Sequence, residues 1–244
     1  FSKGTAAHHA IELGTTSPTT VTFRRCTFTG FNAADAQNDS VIHVKRTTGS
    51  VTINAIACTG TVSYKSDGAI VTVVADSVTL TANVKDNDGV NLQNARVLLK
   101  AAAGGPYPFD VTVTITRSGS TATVAHTAHA LATNDYVQIV GADQYDYNGV
   151  FQITKIDANS YSYGVANSPA TPATGTIKAT FAPLYGLTDA SGNISTSRVY
   201  SGAQPVSGWV RKQSAAPYFK TAVLGGSVSA TTGYTATVQM VLDQ

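Results

Sequence analysis

Residues 121–180 read TATVAHTAHALATNDYVQIVGADQYDYNGVFQITKIDANSYSYGVANSPATPATGTIKAT, and this stretch decides the fold class. Apolar and polar residues alternate over short runs such as DYVQIV and VFQITKI, and turns rich in Gly, Asn, Asp and Pro separate the runs. Such alternation between turns is typical of half-buried strands in a small β-module. The sequence therefore predicts four or five short strands here.

The composition extends this prediction to the whole chain of 244 residues. Hydrophobic residues make up 43% of it and charged residues only 12%, so the chain can bury real cores. Its many β-branched residues suit a pleated, half-buried surface, and no window combines a helical apolar period with charged partners four residues apart. We predict an all-β protein with one large domain or two to three small ones.

Charge and cysteine content exclude several classes of protein. A net charge of +2, spread over isolated basic pairs, does not indicate nucleic acid or an anionic membrane surface as a partner. No apolar run of about 18 residues occurs, so we predict neither a membrane span nor a signal peptide. The two cysteines require no disulfide scaffold. Because the chain begins with Phe1 rather than Met, we expect it to derive from a longer precursor.

Residues 1–76 contain a weak internal repeat. VTF at residues 21–23 is followed by Cys26 and Thr27, and VTI at residues 51–53 is followed by Cys58 and Thr59. Coils of a parallel β-helix repeat in this way and stack like residues on one another, so the two Cys-Thr pairs would form a short ladder. The edge of an antiparallel β-sandwich explains the same runs, and the sequence leaves both interpretations open.

After residue 76 the strands become longer and alternate cleanly. SVTLTANV and ARVLLKA enclose the turn DNDG, and LYGLTDASGNIST supplies a second Asp/Gly turn before three further candidate strands. Such turns between alternating runs indicate hairpins or loops. Asp86 and Asp88 resemble the start of a calcium loop. The later ligands and the terminal Glu of such a loop are missing, so a plain turn is predicted.

These runs resemble known modules. VTLTANVKDNDG, NARVLLK and GLTDASGNIST are similar to the immunoglobulin-like or transthyretin-like sandwich modules of bacterial surface and phage structural proteins. In those modules the second strand leads directly into the T-D-x-x-G turn, whereas a long block intervenes here. The resemblance implies three parts: an N-terminal segment (residues 1–76), a sandwich (77–109 and 182–244), and a small β-module inserted in it (110–181).

The inserted block resembles a small β-module that recurs in tailed-phage virion proteins. The matching residues are His129, Leu131, Thr133, Asp135, Val137, Ile139, Gly141, Ala142, Tyr147, Asn148, Gly149, Phe151 and Ile153. Ala130 stands where that module usually has Gly. The runs AIEL and VTFRRCTFTGFN also resemble phage appendage segments that end in a β-helix-like region. Together the resemblances imply a virion structural protein, assembled in the host cytoplasm, and they carry no active site.

Two histidine groups invite a catalytic or metal-binding interpretation. His126 and His129 are three residues apart, but on strand and turn they would diverge, and His129 is expected to pack or to cap the turn before DYVQIV. The adjacent His8 and His9 would point to opposite faces of an extended segment. We predict no metal site and no cofactor.

Carboxylates are equally sparse in suitable places. A glycosidase needs two carboxylates across a groove. On the coils of the predicted β-helix the candidates are Glu12, Asp35 and Asp39. No strand-turn-helix elbow of the G-x-S-x-G type occurs. We therefore predict no catalytic residue and no enzyme.

Aromatic residues are concentrated in the inserted block. They are Tyr136, Tyr145, Tyr147, Phe151, Tyr161 and Tyr163. The last two share one face of a strand, so they are either both buried or both exposed, and Phe151 is expected in the core.

Tyr145 and Tyr147 adjoin the turn at Asn148 and are expected at the surface. A tyrosine offers a flat contact area and a polar group, which suits glycan and protein contacts. We therefore interpret Tyr145, Tyr147 and Asn148 as candidate contacts for a partner or a glycan.

Three functions remain open. The first is a non-enzymatic structural protein of a tailed-phage virion, a head decoration or fibre or a tail or neck appendage, that binds other virion proteins and copies of itself. A trimeric homo-oligomer is expected if the N-terminal segment is a β-helix. The second is an adhesin module that binds a host-surface carbohydrate. The third and least favoured is a tailspike depolymerase.

Overall fold

A computed structural model of the chain describes residues 1–56, 58–213 and 216–243. Its regular elements in these ranges are β-strands and a single 3-10 helix, which confirms the all-β prediction. The residues group into two compact units, Phe1–Ser77 and Val78–Gln244.

Six strands form the first unit. They are β1 (Ile11–Leu13), β2 (Thr20–Arg24), β3 (Ile42–Val44), β4 (Ser50–Ile56), β5 (Tyr64–Ser66) and β6 (Ile70–Ala75). All their pairings are parallel and give two three-stranded sheets, β1-β3-β5 and β2-β4-β6. Each coil thus contributes one strand to each sheet. The sequence left a parallel β-helix and the edge of a sandwich both open, and this strand arrangement is that of the parallel β-helix.

The alternation along each strand builds the interior of these coils. In β4 the side chains of Val51 and Ile53 point inward and are fully buried, while their neighbours face outward. The register places Val21, Ile53 and Val73 in one stack, so like residues lie above one another. No single coil could bury such a row alone, which is why the coils must stack.

The predicted Cys-Thr ladder is present. Thr27 and Thr59 form a parallel bridge, and the Thr59 hydroxyl donates to the Thr27 hydroxyl at 2.8 Å. Both cysteines are free thiols. Burial raises the pKa of the Cys58 thiol.

Gly60 follows the ladder with a φ of +87°, and the Phe28 carbonyl oxygen occupies the place where a Cβ would stand. The close approach of these two neighbouring coils therefore requires glycine at position 60.

The second unit contains the remaining elements. They are β7 (Val78–Lys85), β8 (Arg96–Ala101), β9 (Val111–Thr112), β10 (Thr114–Ser118), β11 (Thr121–Ala125), β12 (Tyr136–Ala142), the 3-10 helix (Tyr145–Tyr147), β13 (Gly149–Gln152), β14 (Thr154–Lys155), β15 (Ser160–Gly164), β16 (Gly175–Ala182), β17 (Leu184–Leu187), β18 (Asn193–Arg198), β19 (Gln204–Lys212), β20 (Phe219–Val228) and β21 (Tyr234–Gln239).

Two of its sheets face each other across one core. The sheet β18-β7-β21 and the sheet β17-β8-β19-β20 both direct their alternate apolar residues inward, among them Leu80, Val97, Val206 and Leu224. Two layers with one shared core make a β-sandwich. β21 runs parallel to β7, and the other pairings in these two sheets are antiparallel.

Strands β9 to β16 form two further sheets around a second core. Their orders are β10-β11-β15-β14 and β13-β12-β16-β9, and the core between them includes Ile115, Ile139, Tyr161 and Phe181. The division of the chain at residues 76, 109 and 181 that the resemblance implies stays a prediction. The strand pairing nevertheless keeps β9 to β16 apart from the sandwich sheets.

The two ends of the inserted segment lie side by side. β9 pairs with β16, the amide of Asp110 donates to the Thr180 hydroxyl at 3.0 Å, and the amide of Phe181 donates to the Pro108 carbonyl at 2.9 Å. Asp110 and Phe181 are therefore neighbours in space. A segment whose ends meet can be inserted at a loop without separating the host strands.

Candidate functional site

The predicted contact residues lie on one loop, residues 143–148, which we call the Tyr145 loop. Its centre is the 3-10 helix, and the Tyr145 side chain is 85% exposed. The surface position predicted for Tyr145 is therefore confirmed. The loop presents one large aromatic side chain to solvent.

Side-chain hydrogen bonds fix this loop from both ends. The Asn148 amide donates to the Ala142 carbonyl at 2.7 Å and accepts from the Ala142 amide at 3.0 Å. Gln144 and Thr174 exchange two hydrogen bonds of 3.0 Å, and Asn167 donates to Asp146 at 2.9 Å. A loop that is already ordered loses little entropy when it binds, which favours a contact role.

Tyr147 does not share the exposure of Tyr145. It is fully buried, its hydroxyl donates to the Ala170 carbonyl at 3.0 Å, and its own carbonyl accepts from the Tyr163 hydroxyl. The surface position predicted for Tyr147 from its place beside the turn was therefore wrong. The turn is a 3-10 helix with three residues per turn, in which residues two apart point in different directions.

Asn148 is half-buried and uses both ends of its amide to hold Ala142. The Asn148 side chain therefore stabilises the conformation of the loop. Of the three predicted contact residues, only Tyr145 directs its side chain outward.

The remaining aromatic predictions hold. Tyr161 and Tyr163 are both buried, and burial raises the pKa of both phenols. Phe151 packs against the same core and stacks on Tyr163 with 4.1 Å between ring centroids. These rings build the module and leave Tyr145 as its exposed aromatic residue.

His126 and His129 converge, contrary to the prediction that they diverge. Their ring centroids are 5.7 Å apart, and both rings contact Tyr161. Ala128 and Ala130 adopt φ values of +51° and +53°, and this left-handed pair turns the chain back on itself. No local sequence pattern predicts this left-handed backbone, because alanine rarely takes that conformation.

His129 has the capping role that was predicted for it. Its Nδ1 accepts from the Leu131 amide at 3.0 Å, and its Nε2 donates to the carbonyls of Asp157 and Ser160 at 3.0 and 3.3 Å. These contacts require the neutral ring with the proton on Nε2. His126 is 3% exposed, and burial lowers its pKa to about 4, with a further contribution from His129.

The carboxylates of the N-terminal coils are each engaged separately. Glu12 pairs with Lys45 at 2.7 Å and Asp39 with Lys3 at 2.6 Å, and these lysines hold the pKa of both carboxyls below the usual range. Asp35 accepts from the Tyr64 amide at 2.8 Å. A glycosidase acid needs a raised pKa, so neither Glu12 nor Asp39 supplies one.

The two remaining candidates also have structural partners. The Asp86 carboxylate accepts from the amides of Asp88 and Val90 at 2.9 and 2.8 Å, which confirms the plain turn. His9 Nδ1 donates to the Ser40 carbonyl at 2.7 Å and stacks near His43. No cluster of three or more metal-ligating side chains occurs among the residues that the structure describes.

One cluster was not anticipated from the sequence. The Arg198 guanidinium pairs with the Asp135 carboxylate and lies 4.4 Å from the Tyr107 ring centroid and 4.5 Å from that of Phe181. It borders a cleft of about 270 Å³ between β12 and the sandwich strands β17 and β18. Asp135 belongs to the recurrent module pattern, but its partner lies 63 residues away, and nothing in the local sequence connects the two.

No helix in the described ranges is long and apolar enough to cross a membrane.

Comparison with known proteins gives no family assignment. No family model matches the chain, and no curated protein matches it. A variant of the shaft pilin SpaA from Lactobacillus rhamnosus GG is similar in structure, with 12% identity and a TM-score of 0.33; the match covers 73% of this chain and 57% of the pilin chain. The phage phi92 endosialidase is similar over 56% of this chain and 22% of its own, with 14% identity and a TM-score of 0.24.

Proposed function

We propose that the protein is a non-enzymatic structural subunit of a tailed-phage virion, a decoration, fibre or appendage that acts through contacts with other virion proteins and with copies of itself. The observation that carries this proposal is the unpaired edge of β20. The sequence resemblance of the inserted module to virion modules supports the same assignment.

β20 is the last strand of the sheet β17-β8-β19-β20. Among the described residues, the outer side of β20 is strand-paired only at its beginning, through the bridge of Phe219 with Leu242 and the hydrogen bond from the Lys220 amide to the Val241 carbonyl. Further along, the Tyr234 hydroxyl donates to the Gly225 carbonyl at 3.3 Å. Along residues 221–227, the described part of the chain supplies a strand partner only from β19. Main-chain groups on such an edge are available to a strand of another molecule.

The side chains leave this edge unprotected. Residues 221–228 contain no charge and no proline, and Val223 is 83% exposed. Proteins that must stay monomeric usually block an edge with a lysine, a proline or a bulge. The bulge in this pairing lies between Val210 and Lys212, opposite residues 219–222 of β20, and from Ala222 to Val228 the register is regular.

The β-helix supports association as well. Its middle coil is fully buried at Ile42, Val44 and Ile53, whereas Leu13 and Phe23 of the first coil remain half-exposed. Apolar side chains at the end of a solenoid need a cover, from further residues of the chain or from another subunit. A trimer is the form of the oligomer that we propose.

The oligomeric state tests this proposal. We expect light scattering after gel filtration to give an oligomer for the wild-type chain and a smaller species for Val223→Lys. Ile156→Lys, an equally drastic change at a residue that is 56% exposed on the inserted module, should leave the oligomer intact. Gold-labelled antibody against the chain should decorate phage particles. A stable monomer, with no labelled particles, would refute the assignment.

A second candidate, an adhesin for a host-surface glycan, is favoured by the ordered loop that presents Tyr145. We expect the chain to bind host envelopes and Tyr145→Ala to lose this binding. Tyr218→Ala, which alters another exposed tyrosine, serves as the control and should retain it. Host polysaccharide incubated with the chain should gain no reducing ends, since we propose binding without cleavage.

A further inference from the structure

Two arginines lie directly opposite each other on the sandwich. Arg96 of β8 and Arg211 of β19 are register partners, so their side chains project from the same face of neighbouring strands. Side chains in such positions have Cβ atoms about 5 Å apart, and like charges there destabilise the sheet. Among the described residues neither guanidinium has an ion-pair partner. The fold therefore retains an uncompensated pair of positive charges.

An aromatic ring fixes each of these guanidiniums. The Arg211 guanidinium lies 4.4 Å from the centroid of Trp209, and the Arg96 guanidinium lies 5.6 Å from that of Tyr185 and donates to the Tyr185 hydroxyl at 2.8 Å. Stacking on a ring orients the planar cation and leaves N–H groups at its edge available for an anion. Both cations are thus held in place before any ligand arrives.

Apolar side chains adjoin the two cations in register. Tyr185, Leu98, Trp209 and Val223 form one row across β17, β8, β19 and β20. Leu98 is fully buried in this row and Tyr185 contacts Tyr136 of the inserted module, whereas Val223 at the other end is largely exposed. The sheet face is therefore open at β19 and β20, where apolar groups lie beside the fixed cations.

We propose that this surface, the Arg96–Arg211 site, binds an anionic polysaccharide. A carboxylate or phosphate group of the polymer lies between the guanidiniums, which can each form paired hydrogen bonds to such an oxyanion. The apolar face of an adjacent sugar ring packs on Trp209 and Val223. An extended ligand suits an open sheet face better than a small ion does, and two cations are too few for the continuous basic track of a nucleic-acid site.

This inference goes beyond the virion subunit role. It does not depend on Tyr145, and it shares only Val223 with the edge of β20, so Arg96 and Arg211 test it separately. It also explains why the like charges are retained at a cost to the free energy of folding, since a bound anion would neutralise them.

Titration calorimetry of the full chain tests the site with three polymers: polygalacturonate for carboxylate, a phosphomannan for phosphate, and uncharged dextran. We expect one or both anionic polymers to bind, more weakly as salt rises, and dextran not to bind. Arg96→Gln and Arg211→Gln should each weaken binding roughly tenfold or more, the equivalent of one lost charge-assisted hydrogen bond. Arg24→Gln, the same change at an exposed arginine of β2, should bind as the wild type does.

Thermal unfolding separates a binding defect from a folding defect. Because each substitution removes a repulsion, Arg96→Gln and Arg211→Gln should unfold at the same temperature as the wild type or above it. Binding of only one of the two anionic polymers identifies the oxyanion. No binding of either, equal binding of dextran, an equal loss in Arg24→Gln, or binding of poly-L-glutamate in place of the polysaccharides would overturn the proposal.

Discussion

Arg198 forms an ion pair with Asp135, so the last residue of a sandwich strand holds the turn that leads into β12 of the inserted module. The two side chains are only 16% and 13% exposed. The Arg198 guanidinium also packs between the rings of Tyr107 and Phe181, and Tyr107 contacts both hydrophobic cores. These contacts make the junction a packed interface with a fixed geometry.

Asp135→Asn should destabilise the protein by about 3 kcal/mol, because it leaves a largely buried guanidinium without its counter-charge. Urea unfolding at neutral pH measures this difference. Asp88→Asn, the same change in an exposed turn, should stay within about 0.5 kcal/mol of the wild type. The double variant Asp135→Asn with Arg198→Met should cost less than the sum of the single changes. Strict additivity would show that the pair is not coupled.

Ala130→Gly should stabilise the protein by about 1 kcal/mol. Ala130 has a φ of +53°, a conformation that costs an alanine roughly 1–2 kcal/mol and a glycine little. This explains why related modules are expected to carry glycine at this position. Ala132→Gly, two residues along and without a positive φ, should be neutral or destabilising. Chemical unfolding of both variants measures the change in the free energy of unfolding. A lower value for Ala130→Gly than for the wild type would contradict the prediction.

Tyr145 and Tyr147 form a matched pair that separates surface from core. Tyr147→Phe removes a hydroxyl bonded to the Ala170 carbonyl and should cost about 1 kcal/mol. Tyr147→Ala should cost about 3–5 kcal/mol, because it empties a fully buried site. Tyr145→Ala should change the free energy of unfolding by less than about 0.5 kcal/mol. Comparable losses at both tyrosines would show that the Tyr145 loop is not arranged as described.

The sequence predicts the features that depend on local alternation of polar and apolar residues. The strands around Val137, Phe151 and Tyr161 follow from the alternation of polar and apolar residues. The repeat of Cys26-Thr27 at Cys58-Thr59 indicated stacked coils but did not exclude the edge of a sandwich, because two copies are few.

The remaining features depend on distant residues or on unusual backbone. The pairing of Arg198 with Asp135 and the register that places Arg96 opposite Arg211 each join segments far apart in the chain. The burial of Tyr147 depends on a single turn of 3-10 helix within a stretch that the sequence identifies only as a turn. No local pattern predicts such contacts, because strand register is fixed only when the whole core assembles.

His126 should make the protein less stable as the pH falls from 7 to 5. Its pKa is lowered from 6.5 to about 4 in the folded state, so in this range the unfolded chain takes up a proton that the folded chain does not. Protonation then favours unfolding, by about 2 kcal/mol at pH 5 for this group. This window lies above the range in which Glu12 and Asp39, with lowered pKa values, would be protonated in the folded protein.

Urea unfolding at several pH values between 7 and 5 measures the effect. His126→Phe keeps an aromatic ring beside Tyr161 but cannot take up a proton, so its stability should fall much less over this range than that of the wild type. His8→Gln, at an exposed position, should follow the wild-type curve. The same slope for His126→Phe and wild type would contradict the assignment to His126. It would mean that another group binds more protons in the unfolded state than in the folded state.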